Sequence, residues 1–198
     1  KEEESEFEST SLKKSKGKTD NYYDLLVLGS GPGGYTAAFR AADLGKKVVL
    51  VEKYDRIGGV CLNVGCIPSK SLLHAAKIID DTKSMNSKGI SFAKPSINIE
   101  KLHDWKNEII AKLTGGLKNL AKKRKIKIIT GLGQFIDKNN LCVTNSLGEK
   151  LILSFDNAII AAGSQPIKLP FLPEDKRIID STGALELNEI PNHLLIVG

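Results

Sequence analysis

The chain has 198 residues, 29 of them Lys or Arg and 23 Asp or Glu, for a formal charge of +6. Its 41% hydrophobic fraction excludes wholesale disorder and a collagen-like repeat, and no run approaches the roughly 20 apolar residues of a membrane helix. Three cysteines are too few for a disulfide-stapled secreted scaffold, and no basic segment followed by an apolar core opens the chain.

These figures predict a soluble globular protein of a reducing cell interior, one domain with part of a second. A charge of +6 does not mark a nucleic-acid binder, and neither a nucleic-acid nor a membrane partner is expected.

Residues 1–21 are charged and serine-rich, glutamates first and then lysines, with only Phe7 and Leu12 to bury. Such a stretch cannot offset the entropy of folding, so a disordered tail or linker is expected. A chain that begins with lysine rather than methionine reads as processed or as a fragment. Order is predicted from Tyr22. Asp24 to Leu28 is a short apolar run bounded by glycine, the mark of a buried parallel strand. Tyr35 to Leu44 follows as an alanine-rich helix, and Lys47 to Glu52 as a second strand, giving a strand-helix-strand unit.

From Pro68 to Lys83 a helix is predicted, with Leu72, Leu73, Ala76 and Ile79 on one face and Pro68 in the first turn. A longer one carries Leu102, Trp105, Ile109, Leu113, Leu117 and Leu120 at helical spacing, with Trp105 read as core. The lysine-rich run from Lys122 to Lys127 offsets the dipole at the end of that helix and needs no ligand. Short strands follow at Ile126–Thr130, Gln134–Ile136, Leu141–Thr144, Leu151–Leu153 and Asn157–Ala161, with Cys142 a packed or surface thiol. Prolines 166, 170 and 173 mark an exposed connection. Leu194 to Gly198 resembles the start of a further strand and glycine turn.

Two motifs carry chemistry. Gly29-Ser30-Gly31-Pro32-Gly33-Gly34 lies directly after a predicted strand and before a predicted helix, with Glu52 closing the next strand. Gly29 allows the tight turn, Gly31 lets a pyrophosphate approach the backbone at the positive end of the helix, and Gly34 lets helix and strand pack closely. Glu52 then accepts from an adenosine ribose and repels a 2′-phosphate.

The second motif runs from Gly58 to Lys70. Cys66 opens the Pro68 helix, where the dipole and free N–H groups favour a thiolate, and Lys70 adds positive charge one turn on. Cys61 is near enough in sequence to close a small ring with Cys66. The residues alone leave a redox pair, a structural bridge, half of a zinc site or two inert thiols open. A structural bridge gains little from so short a loop, and zinc would need two further ligands with only His74 and Cys142 on offer, so no metal is expected.

Together with Asn157 to Ser164, these motifs resemble the flavin domain of the pyridine nucleotide-disulfide oxidoreductases, over nearly everything from Tyr22 to Gly198. Val60 before Cys61 and Ser69 before Lys70 are most similar to the dihydrolipoamide-oxidising branch; glutathione and mercuric reductases, the nearest alternatives, usually carry threonine for Val60. A non-catalytic flavin-binding module is the rival from another class. The resemblance implies a Rossmann-like FAD-binding domain, a parallel sheet with a small antiparallel meander, over residues 22–193, and the truncated start of an NAD-binding domain over 194–198.

It also implies FAD in the site formed by Gly29, Gly31, Gly33, Gly34, Glu52 and Lys53, with Gly59, Val60 and Lys70 beside it. Gly133 would contact the adenosine half through its backbone, and Ala162, Gly163 and Ser164 would close over the cofactor. Cys61 would be the thiol that exchanges with substrate and Cys66 the thiolate against the flavin, the two forming a redox-active disulfide. Electrons would pass from dihydrolipoamide through this pair and FAD to NAD. The implied partners are the lipoyl domains of 2-oxoacid dehydrogenase complexes and a second copy of the enzyme, in bacterial cytoplasm rather than a mitochondrial matrix. The family's later histidine and glutamate are absent, and His74, His103 and His193 do not match them. The chain is therefore expected to be inactive alone.

Overall fold

A computed structural model describes residues 21–186 and 189–197. The tail expected over 1–21 falls outside these residues except for Asn21, as does Gly198. The elements run β1 Tyr22–Leu28, α1 Pro32–Asp43, β2 Val48–Glu52, α2 Gly59–Val64, α3 Cys66–Ser84, a 3₁₀ turn at Met85–Lys88, α4 Ile99–Lys123, β3 Lys127–Thr130, β4 Leu132–Phe135, β5 Asn140–Thr144, β6 Lys150–Ile160 and α5 Ser181–Glu186. The six strands form one sheet in the order β3-β2-β1-β6-β5-β4. The first three pairings are parallel and the last two antiparallel, so the chain is α/β with a Rossmann-like sheet and a β4-β5-β6 meander.

Period-two alternation along β2 divides the interior into two layers. Val48 and Leu50 face Ala38 of α1 and Ala121 of α4, and Val27 and Ile126 complete that cluster. Val49 and Val51 face the other way, toward Leu141 and Val143 of β5 and Leu153 and Phe155 of β6. The meander thus covers the sheet face that the helices leave open. All five residues of β2 are buried, which is why this strand reads as a continuous apolar run rather than an alternating one.

Three expectations need correction. Leu151–Leu153 and Asn157–Ala161 are not separate strands but parts of the 11-residue β6. Its first half pairs with β5 and its second half with β1; Ser154 takes part in both ladders, opposite Asn140 and Tyr22. A change of partner in mid-strand breaks the hydrophobic pattern without breaking the backbone's extension.

The stripe predicted on α4 is rotated. The buried residues are Lys106, Ile110, Thr114 and Ala121, whereas Trp105 is 37% exposed and Leu113 and Leu120 face outward. Polar residues take the inner face because their polar atoms are satisfied there. Thr114 Oγ1 donates to the Ile110 carbonyl at 3.0 Å, and Lys106 Nζ donates to the Leu185 carbonyl at 2.7 Å. Likewise α3 lies on the surface with Leu73 exposed, and only Pro68 is fully buried along its length.

Among the described residues, Leu194–Val197 form no strand and are exposed. No helix among the described residues is long and apolar enough to cross a membrane.

Candidate cofactor and dithiol site

The glycine turn joins β1 to α1 at the carboxyl end of the parallel strands, where open α/β sheets bind their ligands. Its glycines divide by what surrounds them. Gly29 has φ +99, and a Cβ there would lie 2.1 Å from the Ala161 carbonyl oxygen; one on Gly34 would lie 1.8 Å from the Gly29 oxygen. These two are required by the protein's own packing of β1, α1 and the end of β6. Gly31 and Gly33 are different. A Cβ on Gly31 would meet only the Gly59 Cα, at 3.8 Å, and one on Gly33 would meet nothing within 4 Å.

Gly31 is also the N-cap of α1 and offers no side-chain cap, with Pro32 next. The first turn of the helix therefore presents backbone N–H groups toward open space, an anion site by construction. The donor set fits the pyrophosphate of a dinucleotide.

Glu52 ends β2 beside this turn and is 6% exposed. Its Oε2 accepts from the Ser30 N–H at 3.0 Å and the Ser30 hydroxyl at 2.5 Å, and Oε1 accepts from the Tyr54 N–H at 3.1 Å. Two backbone bonds lock the strand end in place, Gly29 N–H to the Val51 carbonyl at 2.8 Å and Gly131 N–H to the Glu52 carbonyl at 2.8 Å.

The cysteine segment docks directly on the glycine turn. Gly59 has φ +61, and a Cβ on it would lie 2.5 Å from the Gly31 Cα, so the two backbones touch with no side chain between them. The Gly58 N–H is shared between the Ser30 carbonyl at 3.0 Å and the Ser30 hydroxyl at 3.2 Å. From the other side, Asn63 Nδ2 donates to the Ile57 carbonyl at 3.2 Å and the Gly59 carbonyl at 2.9 Å. Helix α2 then carries Cys61 in its first turn and ends at Gly65, where a Cβ would lie 2.9 Å from the Val60 oxygen.

Cys66 is the first residue of α3, whose N-cap Gly65 contributes no side-chain bond. Both cysteines are free thiols, Cys61 half-buried and Cys66 exposed. The two cysteines lie side by side, within hydrogen-bond reach of one another.

The Cys61 thiol is pushed above the usual cysteine range, chiefly by its hydrogen bond with the Cys66 side chain. Burial and the charge on Cys66 add to this, and the Cys66 backbone N–H and the Lys70 ammonium oppose it. The Cys66 side chain is the hydrogen-bond partner that raises it.

Other predicted residues are placed less tightly. Ala162, Gly163 and Ser164 follow the end of β6 next to Ala161 and are exposed. Lys53 Nζ lies over its neighbour's ring, Tyr54, at 4.6 Å. Gly133 lies in β4 opposite Val143, where a Cβ would meet Leu28 Cδ1 at 2.8 Å and Leu141 Cδ2 at 3.0 Å. The absence of a side chain at Gly133 is thus accounted for by packing of the meander on the sheet. Among the described residues no group of three or more His, Cys, Asp and Glu side chains could hold a metal ion.

Sequence reasoning missed Ser30, Asn63, Ala161 and Gly131. The only signal for Ser30 was a small polar residue inside the fingerprint; Asn63 acts through its side-chain amide on the Ile57 and Gly59 carbonyls, and Ala161 and Gly131 through backbone contacts that leave no pattern.

Comparison with known proteins agrees with this geometry. The family model described as pyridine nucleotide-disulphide oxidoreductase matches residues 23–198. The dihydrolipoyl dehydrogenase of Buchnera aphidicola subsp. Acyrthosiphon pisum is 56% identical over 178 residues, which cover 89% of this chain and 37% of that protein. The enzymes of the same name from Vibrio parahaemolyticus and Staphylococcus aureus are 55% and 47% identical, each over 175 residues and 37% of their length. The chain thus spans little more than a third of the curated relatives it matches.

Proposed function

Because this chain belongs to the pyridine nucleotide-disulphide oxidoreductase family, we propose that it is the FAD- and dithiol-bearing region of a dihydrolipoamide dehydrogenase. The observation that carries the reading is the contact between Gly59 and Gly31, which fastens the cysteine segment to the turn built for a pyrophosphate. A nucleotide site and a thiol pair that shared a chain by accident would have no reason to be joined backbone to backbone.

In this reading residues 22–193 form the FAD domain, 1–21 are a tail or linker and 194–198 begin an NAD-binding domain. FAD would be held by the first turn of α1 at Gly31, Gly33 and Gly34, by Glu52 at the ribose, and by Lys53, Val60, Lys70, Gly133, Ala162, Gly163 and Ser164 around it. When bound, FAD supplies two-electron acceptance from a thiolate and hydride transfer to a nicotinamide, NAD in this enzyme.

The chain's own part is disulfide exchange. In the oxidised protein Cys61 and Cys66 are joined, and a substrate thiolate attacks the Cys61 sulfur, releasing Cys66. The second substrate thiol then attacks the mixed disulfide and releases Cys61. The substrate leaves as a disulfide, and the protein holds two reduced cysteines. Lys70 and the first turn of α3 favour negative charge on the released sulfur, and the proton remains on Cys61. The partners would be lipoyl domains of 2-oxoacid dehydrogenase complexes and a second copy of the enzyme, in the cytoplasm. Residues 22–198 alone are expected not to turn over.

Anaerobic titration with dihydrolipoamide tests the reading. The reduced, FAD-loaded protein should show a long-wavelength thiolate-to-flavin band, which Cys66→Ser abolishes while FAD stays bound. Simple flavin bleaching with no such band would point instead to an inert flavin-binding module.

A further inference from the structure

We infer that Ser30 is a positioning residue that aims the Glu52 carboxylate at the adenosine ribose, an inference resting on the FAD reading above. The residue is 0% exposed. Its hydroxyl donates its single proton to Glu52 Oε2 at 2.5 Å and accepts from the Gly58 N–H at 3.2 Å. With both a donor and an acceptor partner the O–H cannot turn away from the carboxylate.

Counting lone pairs gives the consequence. A carboxylate has about four acceptor directions. On Oε2 the Ser30 N–H and O–H take both; on Oε1 the Tyr54 N–H takes one. One direction remains, on Oε1, and the two bonds to Oε2 prevent the group from rotating. A ribose hydroxyl then meets a single acceptor already in place, and no side-chain freedom is lost on binding.

Removing the hydroxyl frees one Oε2 direction and loosens the carboxylate, but leaves the Ser30 N–H bond and the Gly58 bond to the Ser30 carbonyl intact. The fold should therefore survive while the ribose contact weakens.

The test uses the full-length gene product, stripped of flavin and titrated by fluorescence quenching with two probes. One is FAD and the other an FAD analogue whose adenosine ribose is 2′,3′-dideoxy. Ser30→Ala is expected to raise the FAD Kd about tenfold and to change the analogue's Kd by less than about threefold. Ser30→Cys, slightly larger and with a much weaker donor, serves if the alanine variant does not fold, and the same contrast is expected.

Equal weakening of both probes would mean that Ser30 acts only on the fold, and no weakening of either would mean that it does not orient Glu52; each overturns the inference. A wild-type protein that takes up no FAD would instead remove the underlying reading. Normal FAD uptake with no difference between the probes in wild type would leave that reading standing and sink the ribose assignment.

Discussion

Two adjacent glycines in the turn should respond to alanine in opposite directions. At Gly34 the new Cβ would sit 1.8 Å from the Gly29 carbonyl oxygen and 3.5 Å from the Ala161 Cβ. Ordinary contact needs roughly 3.4 Å, so an overlap of about 1.6 Å must be relieved against backbone on a strand end. That backbone is held by the Gly29 N–H to Val51 bond, and neither partner is a flexible side chain.

Overpacking of this severity costs at least about 3 kcal/mol. For a domain of this size each kcal/mol moves the melting temperature by about 2–4 °C, so Gly34→Ala should melt at least about 6–12 °C lower or fail to fold. Gly33 lies one residue earlier, inside α1, and a Cβ there meets nothing within 4 Å. Alanine at that position gains about 0.5–1 kcal/mol from helix propensity and reduced unfolded-chain entropy, a rise of about 1–4 °C. Thermal denaturation of the flavin-free variants, followed by far-ultraviolet circular dichroism, reads both. A Gly34→Ala protein melting within about 2 °C of wild type would refute the assignment of this glycine to internal packing.

Cys66→Ser removes the partner that holds the proton on Cys61, so the midpoint of iodoacetamide labelling of Cys61 should fall toward the usual thiol range, with faster labelling at pH 8; an unchanged midpoint by mass spectrometry would remove Cys66 as the cause. The sign follows from linkage. A folded-state pKa above the unfolded value adds stability at pH below the unfolded thiol's pKa, and that contribution is lost as the pH rises through the folded one. Lys106 anchors α5 through the Leu185 carbonyl, so Lys106→Met should raise amide hydrogen exchange in Ser181–Glu186 about tenfold while α4 is unaffected; unchanged protection would show that the bond does not hold α5. The Arg124 guanidinium reaches Asp43 at 2.9 Å across the ends of α1 and α4 but is partly exposed, so Arg124→Ala should cost no more than about 1 kcal/mol, and less in high salt, by denaturant melts.

Elements whose side chains face one environment were legible from sequence. β2 is buried on both faces and reads as an unbroken apolar run, and the glycines ahead of Pro32 mark a turn on physical grounds alone. The cysteine pair was legible because Pro68 announces a helix start and Cys66 stands just before it. What failed was the phase of α4. Leu113 and Leu120 look like core and Lys106 and Thr114 do not, until the Leu185 carbonyl and the helix's own carbonyls are seen to satisfy them. The contact between Gly31 and Gly59 was illegible for another reason: it is an approach of backbone to backbone across 28 residues, and hydrophobic periodicity carries no information about it.

The switch of partners within β6 bears on how this chain acquires its fold. The strand that completes the meander also closes the central parallel ladder, and the Tyr22 hydroxyl reaches Asp156, 134 residues further on. Loop closure over such a span must precede any reward from the pairing, so folding should be slow and governed by high contact order. During synthesis β1 must wait, unpaired on that side, until β6 has left the ribosome. The nucleotide turn at Gly29, which needs Ala161 against it, is consequently among the last features to be set.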